Sequence, residues 1–192
     1  LTAGSAGAVF YNNTILSETN VIGASNVHWR NNLFLGERSA DEIFSVTTLT
    51  SYSSSDYNGF RPNPNTDISF RWRAPASTTL VDVTNPNYEA QLESREFATL
   101  TDYAAATGQD RNSVLLDYDI FVNVPPLDAR DSESLQTLYD AADLDFRLRS
   151  GSAAIDRAAV LPGITDGFTG QAPDLGALEF GAVAPIYGPR PQ

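Results

Sequence analysis

The 192-residue chain contains no cysteine, no methionine and no lysine, and a single histidine, His28. The absence of cysteine excludes disulfides and thiolate zinc sites, yet it leaves the redox compartment open, because exported proteins also do without cysteine. A single imidazole excludes, within this chain, any metal site or triad that needs two. The absence of lysine makes all 12 basic residues arginine, against 24 acids, for a formal charge of −12. A phosphate backbone or an anionic bilayer is repelled by that balance, so neither nucleic acid nor membrane is an expected partner. No apolar run reaches the roughly 18 residues of a membrane span, and the opening LTAGSAGAVF lacks the basic and apolar regions of a signal peptide. That opening leads straight into strand-like sequence, so the chain reads as a mature or processed piece of a longer product.

Residues 1–60 are rich in Asn, Ser, Thr, Val and aromatics, with no helical period, and read as short strands and turns. Within them AVFYNNTIL (8–16) and VHWRNNLFL (27–35) superimpose at a 19-residue offset, and SSSDYNGF (53–60) is a looser third copy with Asn58 in the Asn position. A repeat of that length predicts a β-solenoid, in which apolar residues stack inside and equivalent Asn side chains form a ladder at a bend. Ordinary turn chemistry in a β-sandwich is the alternative for the Asn pairs. Residues 61–96 read as an irregular excursion, with a turn-rich joint Arg61-Pro62-Asn63-Pro64-Asn65 and a strand ISFRWRAP (68–75).

The period then changes. Phe97, Leu100 and Ala104 recur at helical spacing, Thr99 and Asp102 resemble a capping box, and Gly108 stands where a C-terminal glycine belongs. A second helix is expected at 132–142, with Leu135, Leu138, Tyr139 and Ala142 on one face and Asp131 or Ser132 as cap. SVLLDYDIFVN (113–123) reads as a strand between them. Residues 97–182 are thus expected to be a helix-containing cap and 183–192 an extended tail.

The order DFRLRSGSAAID (145–156), then TDGFTGQAPDLGALEFG (165–181), resembles the C-terminal signature of bacterial right-handed parallel β-helix proteins of the pectate-lyase-like superfamily. Leu148, Gly151, Ser152, Ala154, Ile155, Asp156, Asp174, Gly176, Ala177 and Glu179 carry the match, while Ala153 replaces a usual proline and Arg157-Ala158 a usual glycine. The resemblance implies an all-β solenoid fold: the last coils of a right-handed parallel β-helix (1–60), then a cap with one or two short helices. It further implies a secreted, periplasmic or cell-surface protein whose partner is a polysaccharide. The expected activity is that of a polysaccharide lyase, eliminating on uronate-containing glycan, or of a glycoside hydrolase. The alternative is a non-catalytic β-helix cap, adhesin or carbohydrate-binding module. Because the first coil shows an apolar interior, a preceding β-helix segment or companion chain is expected to dock on its N-terminal end.

Uronate elimination needs a cation to neutralise the carboxylate and a base to take the C5 proton. Without lysine that base is Arg, His or Tyr, and His28 and Arg30 in VHWRNN are the catalytic candidates; alternation places them on the strand face opposite Val27 and Trp29. Arg71, Trp72 and Arg73 are the substrate-binding candidates, an indole to pack on a pyranose between two guanidiniums that grip carboxylate. No metal ligand set is assigned. Calcium is compatible with the scattered Asp56, Asp110, Asp117, Asp119, Asp128 and Asp131, but no D-x-D-x-D-G loop is present. Asp156, Asp174 and Glu179 are expected to cap loops through backbone N–H groups.

Overall fold

The computed structural model describes residues 6–37, 41–64, 66–76, 81–82, 84–126, 128 and 130–183. The opening 1–5, Asn65 of the turn-rich joint and the tail 184–192 lie outside the described residues. The strands in chain order are β1 (Ala6–Tyr11), β2 (Thr14–Ile15), β3 (Thr19–Arg30), β4 (Leu33–Leu35), β5 (Phe44–Thr48), β6 (Ser54–Asp56), β7 (Gly59–Arg61), β8 (Phe70–Pro75), β9 (Leu92–Phe97), β10 (Val114–Leu115), β11 (Phe121–Asn123) and β12 (Asp145–Leu148). They fall into three sheets. The largest runs β1-β3-β5-β8-β9, with β6 on the C-terminal half of β3; the second runs β10-β7-β4-β2; β11 and β12 pair alone.

The sequence offset seen between the two Asn-bearing segments is a strand register. Ala8 lies opposite Val27 and Tyr11 opposite Arg30 in a parallel pair, while Leu33 lies opposite Gly59 in the next. The bend between strands is built the same way three times. Asn12, Asn31 and Tyr57 occupy the left-handed region at φ 54°, 62° and 54°, a conformation Asn tolerates and Tyr does not favour. The residue after each forms a ladder: Asn13 Nδ2 donates to Asn32 Oδ1 at 2.8 Å, and Asn32 Nδ2 donates to Asn58 Oδ1 at 3.0 Å. Each accepting oxygen also takes a backbone N–H, from Asn13 at 3.1 Å and Asn32 at 3.0 Å, so the buried corner leaves neither donor unpaired.

Between the sheets the core is aromatic. Phe10 stacks on Trp29, Trp29 meets Phe44 edge-on, Phe34 stacks on Phe60, Phe60 meets Phe70, and Phe70 stacks on Tyr103 with centroids 5.1 Å apart. A second cluster gathers Leu33, Leu35, Tyr118, Ile120, Phe121, Leu148, Ala154 and Leu175. Gly176 belongs to its edge, at φ 93°, where a Cβ would stand 2.6 Å from a methyl of Leu33.

These arrangements overturn the expected fold class. The domain is a small mixed α/β structure with three separate sheets, neither the last coils of a right-handed parallel β-helix nor an all-β solenoid. Parallel pairing continues past Arg61 only in part, with β8 on β5 and a two-residue β10 on β7. The largest sheet ends in the antiparallel pair of β8 with β9, and the third sheet is antiparallel throughout. The unequal spacing of the ladder residues, 19 and then 26, marks the same loss of periodicity. With the fold goes the membership of the pectate-lyase-like superfamily that the C-terminal signature suggested.

Helix α1 (Leu100–Thr107) starts three residues later than the apolar spacing suggested, because Phe97 ends β9. Its cap is as the sequence implies: Thr99 Oγ1 accepts from Asp102 N at 3.1 Å, and Gly108 closes it at φ 76°. Leu100 and Tyr103 are its buried side chains. The second helix is only α2 (Ser132–Gln136), capped by Asp131, and Leu138 and Tyr139 of the expected apolar face are exposed. The expected strand 113–123 is broken by Asp117, which caps a 3₁₀ turn at Tyr118–Ile120.

Candidate functional site

Two clusters of polar side chains stand on the outer face of the largest sheet. The first is set by β8. Phe70, Trp72 and Ala74 point into the core, which turns Arg71 and Arg73 outward, as the two-residue period of a strand requires. They border a trough of about 510 Å³ lined also by Asn20, Ser45, Thr47 and Ser94 and by the apolar Ile22 and Leu92. Both guanidiniums are already held. Arg71 Nη2 lies 2.5 Å from Glu42 Oε1 and its Nε donates to Glu96 Oε1 at 3.0 Å. Arg73 donates to the Glu89 carboxylate at 2.9 Å and to the Glu89 carbonyl at 2.7 Å. Trp72 takes no part. It is 4% exposed and packs 6.3 Å from Tyr103, so the indole expected to stack on a sugar between two arginines is instead a core residue.

The second cluster lies where β3 pairs with β6, His28 opposite Ser54. Val27 and Trp29 are buried and His28 and Arg30 face out. Ser54 Oγ is 2.8 Å from His28 Nδ1, and His28 Nε2 is 2.7 Å from Asn26 Oδ1. Arg30 Nη2 donates to Ser54 Oγ at 3.1 Å while its Nη1 donates to the Trp29 carbonyl at 2.7 Å. Asn26 sits in the left-handed region at φ 56°, within the strand. Tyr52, 74% exposed, meets the imidazole edge-on at 6.1 Å. Burial first, and then the Arg30 charge, holds His28 below the ordinary histidine range.

Three of the aspartates considered as calcium ligands are held by other partners. Asp110 is buried and accepts from Asn58 and Ser113; Asp56 accepts from the backbone and side chain of Asn112; Asp117 pairs with Arg61 at 2.6 Å. Among the described residues no group of three or more His, Asp or Glu side chains is placed to hold a metal ion, and no helix is long and apolar enough to cross a membrane. Asp156, Asp174 and Glu179 each accept backbone N–H groups of the C-terminal loops, at 2.6 to 3.1 Å.

No protein-family model, no curated protein and no solved structure matches this chain. The family that carried lyase or hydrolase activity, secretion and a bacterial source for it therefore has no support from relatives, and with the β-helix gone those attributes have none from the fold.

Ser54 and Asn26 were missed by reading the sequence. The signal was there: superimposing Asn58 on Asn32 sets Ser54 against His28 at the same 26-residue offset.

Proposed function

We propose that the chain is a binding protein for an extended, uncharged polyhydroxylated polymer, a neutral polysaccharide strand, which lies in the trough above β3, β5, β8 and β9. The observation that carries this reading is the pairing of Arg71 and Arg73 with Glu42, Glu96 and Glu89 in a row beside side-chain hydroxyls. Each pair presents fixed donors and fixed acceptors together, which suits sugar hydroxyls, since every hydroxyl both donates and accepts. Glu89 and Glu96 balance the two arginines in the trough and Glu42 holds Arg71 from beside it, so no free positive charge is left and a uronate carboxylate gains less there than a neutral sugar. The reading is one of binding alone and calls for no reaction.

Titration calorimetry with a neutral β-glucan or mannan oligosaccharide, beside an oligouronate of equal length, tests it. Binding of the neutral oligomer is expected, weakened roughly tenfold or more by Arg73→Ala, as befits a lost charged hydrogen-bond donor. Binding of the oligouronate alone, or a neutral affinity untouched by Arg73→Ala in a folded variant, refutes it.

A further inference from the structure

The polarity of the hydrogen bonds around His28 is fixed at both ends. Arg30 can only donate, so Ser54 Oγ accepts from it at 3.1 Å and has its own proton left for His28 Nδ1 at 2.8 Å. Asn26 Oδ1, 2.7 Å from Nε2, accepts the ring N–H and so selects the tautomer with a bare Nδ1. The relay therefore runs Arg30 to Ser54 to His28 to Asn26, with a serine hydroxyl directed at an unprotonated imidazole nitrogen. That is the arrangement of an activated nucleophile, its base and the group that orients the base, with the roles of the two ring nitrogens exchanged relative to the serine hydrolases.

We infer that Ser54 and His28 form a nucleophile and general base, oriented by Asn26 and assisted by Arg30, that hydrolyses carboxylic esters of small acyl groups on the open face of the sheet. Ser54 Oγ attacks the acyl carbonyl as its proton passes to His28 Nδ1, and the carbonyl oxygen takes up negative charge beside the Arg30 guanidinium. Collapse of the tetrahedral species breaks the bond to the leaving alkoxide, which takes the proton from His28, and leaves an acyl ester on Ser54. Water then attacks that ester with His28 again as base, releasing the carboxylic acid and restoring the serine. Burial and the Arg30 charge keep the imidazole neutral near pH 7, the state in which it can accept a proton. The cluster lies on an open strand face, with Asn26 exposed and Ser54 and His28 only half-buried, which suits a compact ester that needs no enclosing acyl pocket. This site rests on its own hydrogen bonds and does not depend on the trough at Arg71 and Arg73.

The test uses the full chain with a fluorophosphonate, followed by peptide mapping, and with 4-nitrophenyl acetate as substrate. An adduct on the Ser54 peptide and acetate turnover are expected, both slowed on the order of 100-fold in His28→Ala and abolished in Ser54→Ala. Arg30→Gln is expected to lower turnover about tenfold while leaving the adduct on the same residue. Ser54→Ala and His28→Ala should melt as the parent does, since neither side chain lies in the core. No adduct on Ser54 at concentrations that label an ordinary serine hydrolase, or equal labelling rates in the parent and in folded His28→Ala, overturns the proposal.

Discussion

Removing the amide of Asn58 tests whether the ladder holds the corner between the two larger sheets. Asn58 is fully buried. Its Oδ1 accepts from the Asn32 backbone N at 3.0 Å and from Asn32 Nδ2 at 3.0 Å, and its Nδ2 donates to Ser55 Oγ at 3.0 Å and Asp110 Oδ1 at 2.9 Å. Asn58→Ala deletes all four. At a net of about 1 kcal/mol each the loss is about 4 kcal/mol, and the Asn32 backbone N–H, stranded without water, adds about 1 kcal/mol more. Against the 5–15 kcal/mol typical of a domain, about 5 kcal/mol is a third or more of the total. Asn13→Ala is the internal comparison. Asn13 is half-buried and donates from its side chain to Asn32 Oδ1 and the Tyr11 carbonyl, so solvent can replace part of what is lost and about 1–2 kcal/mol is expected. Urea unfolding at neutral pH, followed by far-ultraviolet circular dichroism, should show the Asn58→Ala midpoint far below the Asn13→Ala midpoint at similar slope. A cost under about 1 kcal/mol for Asn58→Ala, or equal costs for the two variants, would show that the ladder decorates the corner without holding it.

Burial raises the Asp110 carboxyl above the ordinary range, against the hydrogen bonds of Ser113 and Asn58. A raised carboxyl stabilises the fold below its unfolded value and loses that stabilisation as pH rises through its folded value, so Asp110→Asn should flatten this part of the pH profile and be the more stable protein near about pH 8 in urea titrations. His28 is lowered, so the folded state resists its protonation and loses stability as pH falls through the ordinary histidine value of 6.5. Its imidazole resonance should titrate below that value by nuclear magnetic resonance, and Arg30→Gln should move the midpoint up only in part, because burial is the larger cause. Trp72→Ala removes a buried indole against Tyr103 and should cost about 3–5 kcal/mol in thermal or urea unfolding, where a groove-facing indole would cost little. Gly176→Ala combines φ 93° with a Cβ 2.6 Å from Leu33; a loss of about 2 kcal/mol or more is expected by calorimetry, and a neutral result would mean that the turn relaxes freely.

Those costs fall on features of unequal legibility in the sequence, and the difference is physical. Local rules are carried by adjacent residues. The alternation Val27-His28-Trp29-Arg30 is enough to send the imidazole and guanidinium outward, and Thr99, Asp102 and Gly108 are enough to start and stop a helix, because a cap needs only its own turn. The 19-residue offset was readable for the same reason, as a local pattern written twice. What a pattern written twice does not contain is how often it continues. The change of offset from 19 to 26 and the antiparallel return of β9 on β8 depend on how residues far apart in the chain meet, so a repeat that is real at its own scale does not by itself give the fold. The apolar face at 132–142 fails in a related way: Leu135, Leu138 and Tyr139 have helical spacing but are exposed, and the helix ends at Gln136.

The position of Trp72 between Arg71 and Arg73 is a different case, since strand alternation alone decides it. Neighbours in a strand point to opposite faces, so an indole cannot share a surface with the arginines on either side of it unless the strand is broken. Applied to residues 70–74, the rule used for residues 27–30 puts Phe70, Trp72 and Ala74 on one side and the two guanidiniums on the other, as the structure does. The consequence reaches the chemistry. Without the indole the trough loses the apolar platform of a pyranose stacking site, and with Glu42, Glu89 and Glu96 on its arginines it loses the free positive charge of a carboxylate clamp. What it keeps is fixed donors and acceptors side by side, and that is why affinity for a neutral polyhydroxylated strand over its uronate counterpart is the outcome that separates this surface from the one the sequence motif suggested.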